Sequence, residues 1–332
     1  MTHRLFGACL VLASVALGQA RAADVAIVAL PTTSLTFTIE YVAEDQGFFA
    51  KEGLTVTSRV ISGVGTANAV LAGDVQFGQI TASVFARAAA HGQRMLAIAN
   101  LLDRPMQEMV LRKDVAETAH WNANAPLAER ARILKGRTVA VDGILTNIHA
   151  FARLIAIRGG LDPEKDIQVA PMSPPSMPAA LDTKSVDAFT SSLPWTNDAV
   201  ASGKAVTLAS SPRGDLPEFL PFAYLIVISR PDYCPAHKSV CRELVQGYLA
   251  AAAFIHEHPQ EVLAIVKKRF PQTSDAVLKD SIDTIAQATP KIPVLTAEEL
   301  RHSETFNVDA GVMKKDEMLS SYDGLFTDEF LH

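Results

Sequence analysis

Polar side chains recur at the points where short apolar runs give way to helical patterns. Four such junctions stand out, and their residues are Thr36 and Phe37, Gly65 and Thr66, Thr81 and Ser83, and Thr146, Asn147 and His149. Hydroxyl and amide groups, together with the free backbone N–H groups that open a helix, can hydrogen-bond an anionic or carbonyl group of a small molecule. Ligands of open α/β sheets settle at the carboxyl ends of strands. The chemistry that these residues indicate is therefore ligand binding.

Each candidate also has a purely structural interpretation, which the sequence leaves open. The threonines and Asn147 could cap the helices that follow them. His149 stands one turn inside its helix, where a partly buried, hydrogen-bonded histidine is common. Trp195 follows Pro194 and could stack on a planar ligand, but it could equally pack in a core or loop, and Phe37 has the same two interpretations.

The sequence signatures of common enzymes are missing. It contains no Gly-x-Ser-x-Gly turn, no phosphate-binding Lys loop and no His-Glu-x-x-His pair. The segment His256-Glu-His258 has metal-ligand residue types, but Pro259 follows it directly. These histidines are therefore expected at a helix end, where they complement the helix dipole and the exposed carbonyls. We expect no catalytic residue, no metal site and no cofactor.

Short β-branched runs alternate with helical patterns along the first two thirds of the chain. A strand at 25–30 is followed by a helix at 38–50, and the same order restarts with a strand at 138–141 and a helix at 148–158. This alternation predicts two similar α/β units with mostly parallel sheets. After the apolar run at 222–228 only helical patterns follow. The chain is therefore expected to return to the first unit and to cover its back with helices.

The N-terminus has the three parts of a secretory signal. Arg4 precedes an uncharged apolar run, and small residues favour a cut between Ala22 and Ala23. The run is too short to span a bilayer, and Cys9 lies inside it, which argues against a lipid anchor. We expect residues 1–22 to be removed and the mature protein to be periplasmic. A buried N-terminal helix is the alternative.

The charge balance argues against two classes of partner. The chain has 30 Lys and Arg and 36 Asp and Glu residues, and loss of Arg4 and Arg21 with the signal leaves 28 against 36, a net charge of −8. Such a chain offers no general surface for nucleic acid or an anionic membrane. No later stretch reaches the roughly 18 apolar residues of a membrane span. A pocket can oppose the net charge locally, so anionic ligands stay possible.

Two cysteines, Cys234 and Cys241, would remain after export. They stand seven positions apart in a Pro-containing loop that leads into a helix, so a ring closed between them is feasible. An oxidising periplasm would favour a disulfide. Two free, partly buried thiols are the alternative.

The segment Tyr41-Val-Ala-Glu-Asp-Gln-Gly-Phe-Phe-Ala-Lys-Glu-Gly-Leu-Thr-Val56 resembles the first helix and second strand of the nitrate/sulfonate/taurine group of ABC-transporter solute-binding proteins, which includes thiamine-precursor binders. Gly47 would end the helix and Gly53 would turn the chain into the strand. The resemblance covers about residues 25–270. Further fragments follow in the family's order, namely 71–78, 111–114, 134–141, 146–149, 160–163, 185–188 and 194–195.

The resemblance implies a two-lobed, type II periplasmic-binding-protein-like α/β fold, in which each lobe is a mixed, mostly parallel sheet flanked by helices. The lobes would close on a ligand by a hinge motion. Ile144 and Leu145 stand where the family often has small residues, so the second-lobe wall is bulkier and a simple sulfonate cradle is in doubt. The implied boundaries are lobe 1 at 24–112 and 222–332, lobe 2 at 114–218, and hinge crossings near 112–114 and 217–222.

The implied function is capture of a small organic ligand and its delivery to the permease of an ABC importer. The ligand would be a sulfonate, a taurine-like compound, or a pyrimidine or other aromatic compound. We expect a monomer that catalyses nothing and does not insert into the membrane. Two alternatives stay open: a periplasmic sensor that docks on a receptor, and an enzyme on the same scaffold, similar to thiamine-pyrimidine synthesis. Export argues against the enzyme, since its substrates would be cytoplasmic.

Overall fold

The computed structural model describes residues 24–332, so the predicted export signal lies outside the described part of the chain. Ten strands form within these residues. Most are short runs rich in β-branched and other apolar side chains, which favour a buried sheet. In chain order they are β1 Asp24–Leu30, β2 Leu54–Val60, β3 Phe77–Thr81, β4 Leu96–Leu102, β5 Glu108–Arg112, β6 Arg137–Val141, β7 Ile167–Pro171, β8 Ala188–Ser191, β9 Ala205–Ser210 and β10 Leu225–Ser229.

Fourteen α-helices lie in the same described part of the chain. The helix predicted at 38–50 is broken into two, because Gly47 takes a left-handed conformation with φ 65°. The helices are α1 Thr38–Asp45, α2 Phe48–Lys51, α3 Gly65–Ala72, α4 Ala82–Ala90, α5 Lys113–Thr118, α6 Leu127–Ala131, α7 Asn147–Arg158, α8 Met177–Asp182, α9 Trp195–Ala201, α10 Tyr233–Ala236, α11 Lys238–Glu257, α12 Pro259–Arg269, α13 Asp275–Ala288 and α14 Ala297–Asp309.

The strands form two five-stranded sheets with the same plan. The first has the order β2-β1-β3-β10-β4 and the second β7-β6-β8-β5-β9. In each, the first three strands are parallel and the fourth is antiparallel to both of its neighbours. Helices flank both sheets. The predicted fold class of two mixed, mostly parallel α/β lobes is confirmed.

The chain crosses between the sheets earlier than predicted. Strand β5 pairs with β8 and β9, and Val110 stands opposite Phe189 in the second sheet. The first crossing is therefore at 103–107, and the prediction that 108–112 belongs to the first lobe is wrong. The apolar composition of a strand does not show which of the two sheets it will pair in. The second change of sheet falls between Ser210 and Leu225. We propose lobe boundaries at these two crossings.

The C-terminal third returns to the first sheet and covers it with helices. Helix α11 packs on α1 and α2, and α14 packs on α4. Gly247 of α11 lets the ring of Phe49 approach the helix backbone closely, and that ring lies 5.2 Å edge-on from Tyr248. A disulfide joins Cys234 of α10 to Cys241 of α11, with Cα atoms 5.7 Å apart. Within residues 24–332, no helix is long and apolar enough to cross a membrane.

Candidate ligand-binding site

A partly open chamber with a cavity volume of about 70 Å³ lies between the two lobes, at the carboxyl ends of strands from both sheets. This is where open α/β sheets bind ligands, because the strand ends and the helix N-termini that follow leave backbone groups facing the gap. The first lobe contributes Pro31, Thr32, Thr36, Phe37, Gly63, Val64, Ile80, Thr81, Val84, Tyr224 and Leu225. The second lobe contributes Asp142, Thr146, Asn147, Ile148 and Ser192.

A wider outer mouth adjoins the chamber. Pro31, Thr32 and Asp142 line both spaces, so the chamber opens outward past these three residues. The outer wall is completed by Val60 and Ser62 of the first lobe and by the proline-rich segment 171–175 of the second. A ligand entering from solvent would therefore pass the Asp142 carboxyl on its way in.

The turn before α7 places a carboxyl and a hydroxyl at the chamber wall. Thr146 is the N-cap of α7: its Oγ1 accepts a hydrogen bond from the backbone N–H of His149 at 3.1 Å. The same hydroxyl lies 2.5 Å from Asp142 Oδ1, to which it donates. Burial raises the pKa of Asp142 to about 6, although the Thr146 hydrogen bond lowers it. Near neutral pH the chamber wall therefore carries a mostly ionised carboxylate that is short of solvation.

Tyr224 faces this carboxyl from the first lobe. Its side chain is 3% exposed and lines the chamber. Burial raises the pKa of Tyr224, and the negative charge of Asp142 raises it further, which places the two groups in each other's field. Within residues 24–332 the Tyr224 hydroxyl has no hydrogen-bond partner, so it is free to bond a ligand. Phe37 supplies the second aromatic side chain of the lining.

Asn147 joins the lobes at the chamber floor. Its Nδ2 donates to Ser83 Oγ of α4 at 3.0 Å, and its Oδ1 accepts from Gln107 Nε2 in the first crossing segment. Asn147 lines the chamber, whereas Ser83 is 1% exposed and does not. Ser83 Oγ also lies 3.1 Å from Thr81 Oγ1, which does line the chamber. Thr81 and Asn147, two of the predicted ligand-binding residues, are therefore linked through Ser83.

The other predicted residues of the first lobe divide between wall and core. Thr36 and Phe37 line the chamber, and Ser34 Oγ donates to Thr36 Oγ1 at 2.9 Å. Thr66 is fully buried, and its hydroxyl donates to the Ile61 carbonyl at 2.7 Å, so it stabilises its own turn. Gly65 opens α3 beside the wall, but the lining itself is formed by the two preceding residues, 63 and 64.

His149 does not line the chamber but supports the turn that does. Its Nδ1 accepts a hydrogen bond from the backbone N–H of Leu145 at 3.2 Å. Leu145 has φ 64°, a left-handed conformation that disfavours branched side chains, and its carbonyl accepts from the Arg87 guanidinium of α4. Burial lowers the pKa of His149, and the positive charge of Arg153 lowers it further, so the imidazole is held neutral as an acceptor.

Trp195 packs between the lobes and not in the chamber. Its indole Nε1–H donates to the Thr33 carbonyl at 3.1 Å, and its ring lies 5.7 Å from that of Phe270 in an edge-on arrangement. Ser192, immediately before the cis Leu193–Pro194 bond, lines the chamber instead, and its Oγ lies 2.8 Å from Ser34 Oγ. Trp195 therefore fixes the lobes together on one side of the cleft.

The two histidines at the C-terminal end of α11 have structural partners. His256 Nε2 lies 3.0 Å from the Thr289 carbonyl, and His258 Nδ1 lies 3.0 Å from Glu261 Oε1. No group of three or more His, Cys, Asp or Glu side chains in the described part of the chain could hold a metal ion.

Sequence reasoning missed Asp142, Ser192 and Tyr224 as lining residues. Asp142 directly follows the buried strand β6, and a carboxylate at the carboxyl end of a strand was the signal that could have found it. Tyr224 was hidden inside the apolar run 222–228, where it looked like a core residue.

Two α/β lobes with a chamber at their strand ends define the periplasmic-binding-protein fold. A family model described as the NMT1-like family matches residues 19–270, more than half of the chain. The chain belongs to this family. No curated protein matches the sequence.

Solved structures share the fold at low sequence identity. A protein of Bordetella bronchiseptica RB50 has a TM-score of 0.77 at 17% identity, over 93% of this chain and 96% of that one. The alkanesulfonate-binding protein SsuA from Xanthomonas axonopodis pv. citri, bound to MOPS, has a TM-score of 0.69 at 16% identity, over 89% of this chain and 96% of that one. The desulfurization enzyme DSZB has a TM-score of 0.57 at 17% identity, over 93% and 97%. The scaffold thus serves binding proteins and an enzyme.

Proposed function

We propose that this protein is an exported solute-binding protein that captures a small organic molecule between its lobes and delivers it to an ABC importer. The observation that carries the proposal is the chamber, whose walls come from both lobes. Family membership and the likeness to an alkanesulfonate-binding protein support it.

The proposed cycle is closure of the lobes on the ligand followed by docking on the permease. The protein would act as a monomer in the periplasm, after loss of residues 1–22. The two crossings, at 103–107 and between Ser210 and Leu225, are the segments about which the lobes would move. The resemblance leaves sulfonates, taurine-like compounds, pyrimidines and other aromatic compounds as ligand classes.

The test is a thermal-shift screen of the purified mature protein against these classes, with calorimetric titration of each hit. A ligand present at a hundredfold its Kd adds about 2.7 kcal/mol to the free energy of unfolding. Asn147→Ala should weaken a true hit roughly tenfold, because removal of a chamber hydrogen bond costs about 1 kcal/mol or more. Asn124→Ala, at an exposed position, is the matched control.

Failure of every compound to bind, or equal affinity in the Asn147→Ala variant, would contradict the proposal. Mass analysis of the ligand after incubation separates binding from catalysis. Recovery of the unchanged ligand supports a binding protein, and its conversion would favour an enzyme on the same scaffold.

A further inference from the structure

The chamber has one charged side chain, and it is negative. Among the described residues that line the chamber or the outer mouth there is no Lys, Arg or His, and Asp142 is the only carboxylate. The rest of the lining is apolar or carries neutral hydroxyl and amide groups. A binding site is electrostatically complementary to its ligand, since like charges placed together in a poorly solvated space repel strongly.

Asp142 lies beside the N-terminus of α7, the part of the second lobe that would most favour binding of an anionic ligand. The N-terminus of α7 carries a partial positive charge of roughly half a unit. The Asp142 carboxylate already lies beside this helix start, bonded to the Thr146 cap. The chain itself thus supplies the anion that the helix start favours. Helices α3 and α4 also begin near the chamber and would favour an anion, so anionic probes belong in the test.

The first-lobe wall opposite Asp142 suits a cation. Phe37 and Tyr224 both line the chamber, and aromatic faces attract organic cations. The unpaired Tyr224 hydroxyl can accept a hydrogen bond from an N–H group. The charged group of a cation in this space would pair with the poorly solvated Asp142 carboxylate. The rest of the molecule would contact aromatic or apolar side chains.

We propose that the ligand is a small organic cation, a protonated amine or amidine on a mainly apolar body, whose charged group pairs with Asp142. This inference rests on the proposed function and specifies the chemical class of the ligand that the same chamber binds. It separates this chain from relatives that take anionic ligands.

The test compares four probes of one shape and different charge: phenethylammonium, 2-phenylethanol, phenylacetate and phenylmethanesulfonate. Calorimetric titration at pH 7.5 and low salt should show the cation binding at least tenfold tighter than the alcohol, and both anions binding more weakly than the alcohol. Equal affinity of the cation and the alcohol would overturn the proposal.

Asp142→Asn isolates the charge, because the amide oxygen can still accept the Thr146 hydrogen bond. It should weaken phenethylammonium about tenfold and leave the alcohol within a factor of three. Asp74→Asn, which changes an exposed carboxylate in the turn between α3 and β3, should change neither affinity. If Asp142→Asn melts at a much lower temperature than the parent, Tyr224→Phe is the second variant. It should weaken the binding of phenethylammonium two- to fivefold and leave the affinity for 2-phenylethanol unchanged.

Tighter binding of either anion than of the cation, with a further gain in Asp142→Asn, would refute the ligand class. If Asn147→Ala weakened that anion, the proposed function would stand, since the anion would bind in the chamber. No binding of any of the four probes would also contradict the ligand class. The proposed function would then be contradicted only if the wider compound screen failed as well.

Discussion

Glu40 is a buried carboxyl whose protonation should make the stability of the first lobe depend on pH. It lies on α1, is 0% exposed, and receives three hydrogen bonds. Ser58 Oγ donates to Oε1 at 2.6 Å, while Gln79 Nε2 and Tyr248 Oη donate to Oε2 at 2.7 and 2.6 Å. Burial raises the pKa of Glu40 to about 7, and the hydrogen bonds from Ser58 and Tyr248 lower it only in part.

The sign of the effect follows from the two protonation states. Below the unfolded pKa, near 4.5, the carboxyl is protonated in both the folded and the unfolded chain and has no pH-dependent effect. As pH rises toward 7 the unfolded chain loses the proton first, so the free energy of unfolding falls by about 1.4 kcal/mol per pH unit. Above the folded pKa the loss is complete, at about 3 kcal/mol.

Glu40→Gln should remove this dependence. The Gln oxygen can accept from Gln79 and Tyr248, and its amide can donate to Ser58, whose hydroxyl can also accept. Urea unfolding from pH 5 to pH 8 should show the parent losing about 2 to 3 kcal/mol relative to the variant. Glu52→Gln, at an exposed position after α2, is the control and should follow the parent. A constant difference between parent and Glu40→Gln across this range would refute the reasoning.

Three further outcomes are expected. Reduction of the Cys234–Cys241 bond should lower the free energy of unfolding by about 2 to 3 kcal/mol in the chain-entropy model, and unfolding with and without reductant measures it. Trp195→Ala should cost about 3 kcal/mol, because it removes the packing on Phe270 and an indole hydrogen bond; an unchanged melting temperature would contradict this. Leu145→Gly should raise the free energy of unfolding by up to about 1 kcal/mol, because glycine adopts the left-handed conformation of residue 145 without a steric penalty. A marked loss of stability would contradict the view that Leu145 is strained.

The architecture could be predicted because it depends on local patterns. Runs such as 25–30 and 138–141 alternate with helical segments, and these two runs became strands within one residue of their predicted bounds. The lobe boundary could not be predicted in the same way. Strand β5 has the same apolar character as its predecessors, and its partner is set by contacts with β8, about 80 residues further along the chain. Sequence proximity therefore assigned it to the wrong sheet.

The candidate site was predicted in part for a related reason. Junctions between strands and helices are visible in the sequence, and Thr36, Thr81 and Asn147 do line the chamber. Whether a junction residue faces the gap or its own turn depends on side-chain direction, which the sequence does not show. Thr66 turns back to the Ile61 carbonyl for this reason. Trp195 lies outside the chamber lining, and the sequence does not show this because its partner, Phe270, follows α12 in the other lobe.

The chamber also connects ligand choice with closure of the lobes. Several contacts that join the lobes at its edge are neutral hydrogen bonds, such as Ser34 to Ser192 at 2.8 Å and Asn147 to Ser83 at 3.0 Å. Each contributes only about 0.5–1.5 kcal/mol net, because water replaces it on opening. A ligand stabilises the closed form only through interactions that the open form lacks. Asp142 belongs to one lobe and Tyr224 to the other, so a cation held by both would gain its full binding energy only on closure. On this argument, the charge that selects the ligand also supplies the energy that holds the lobes together.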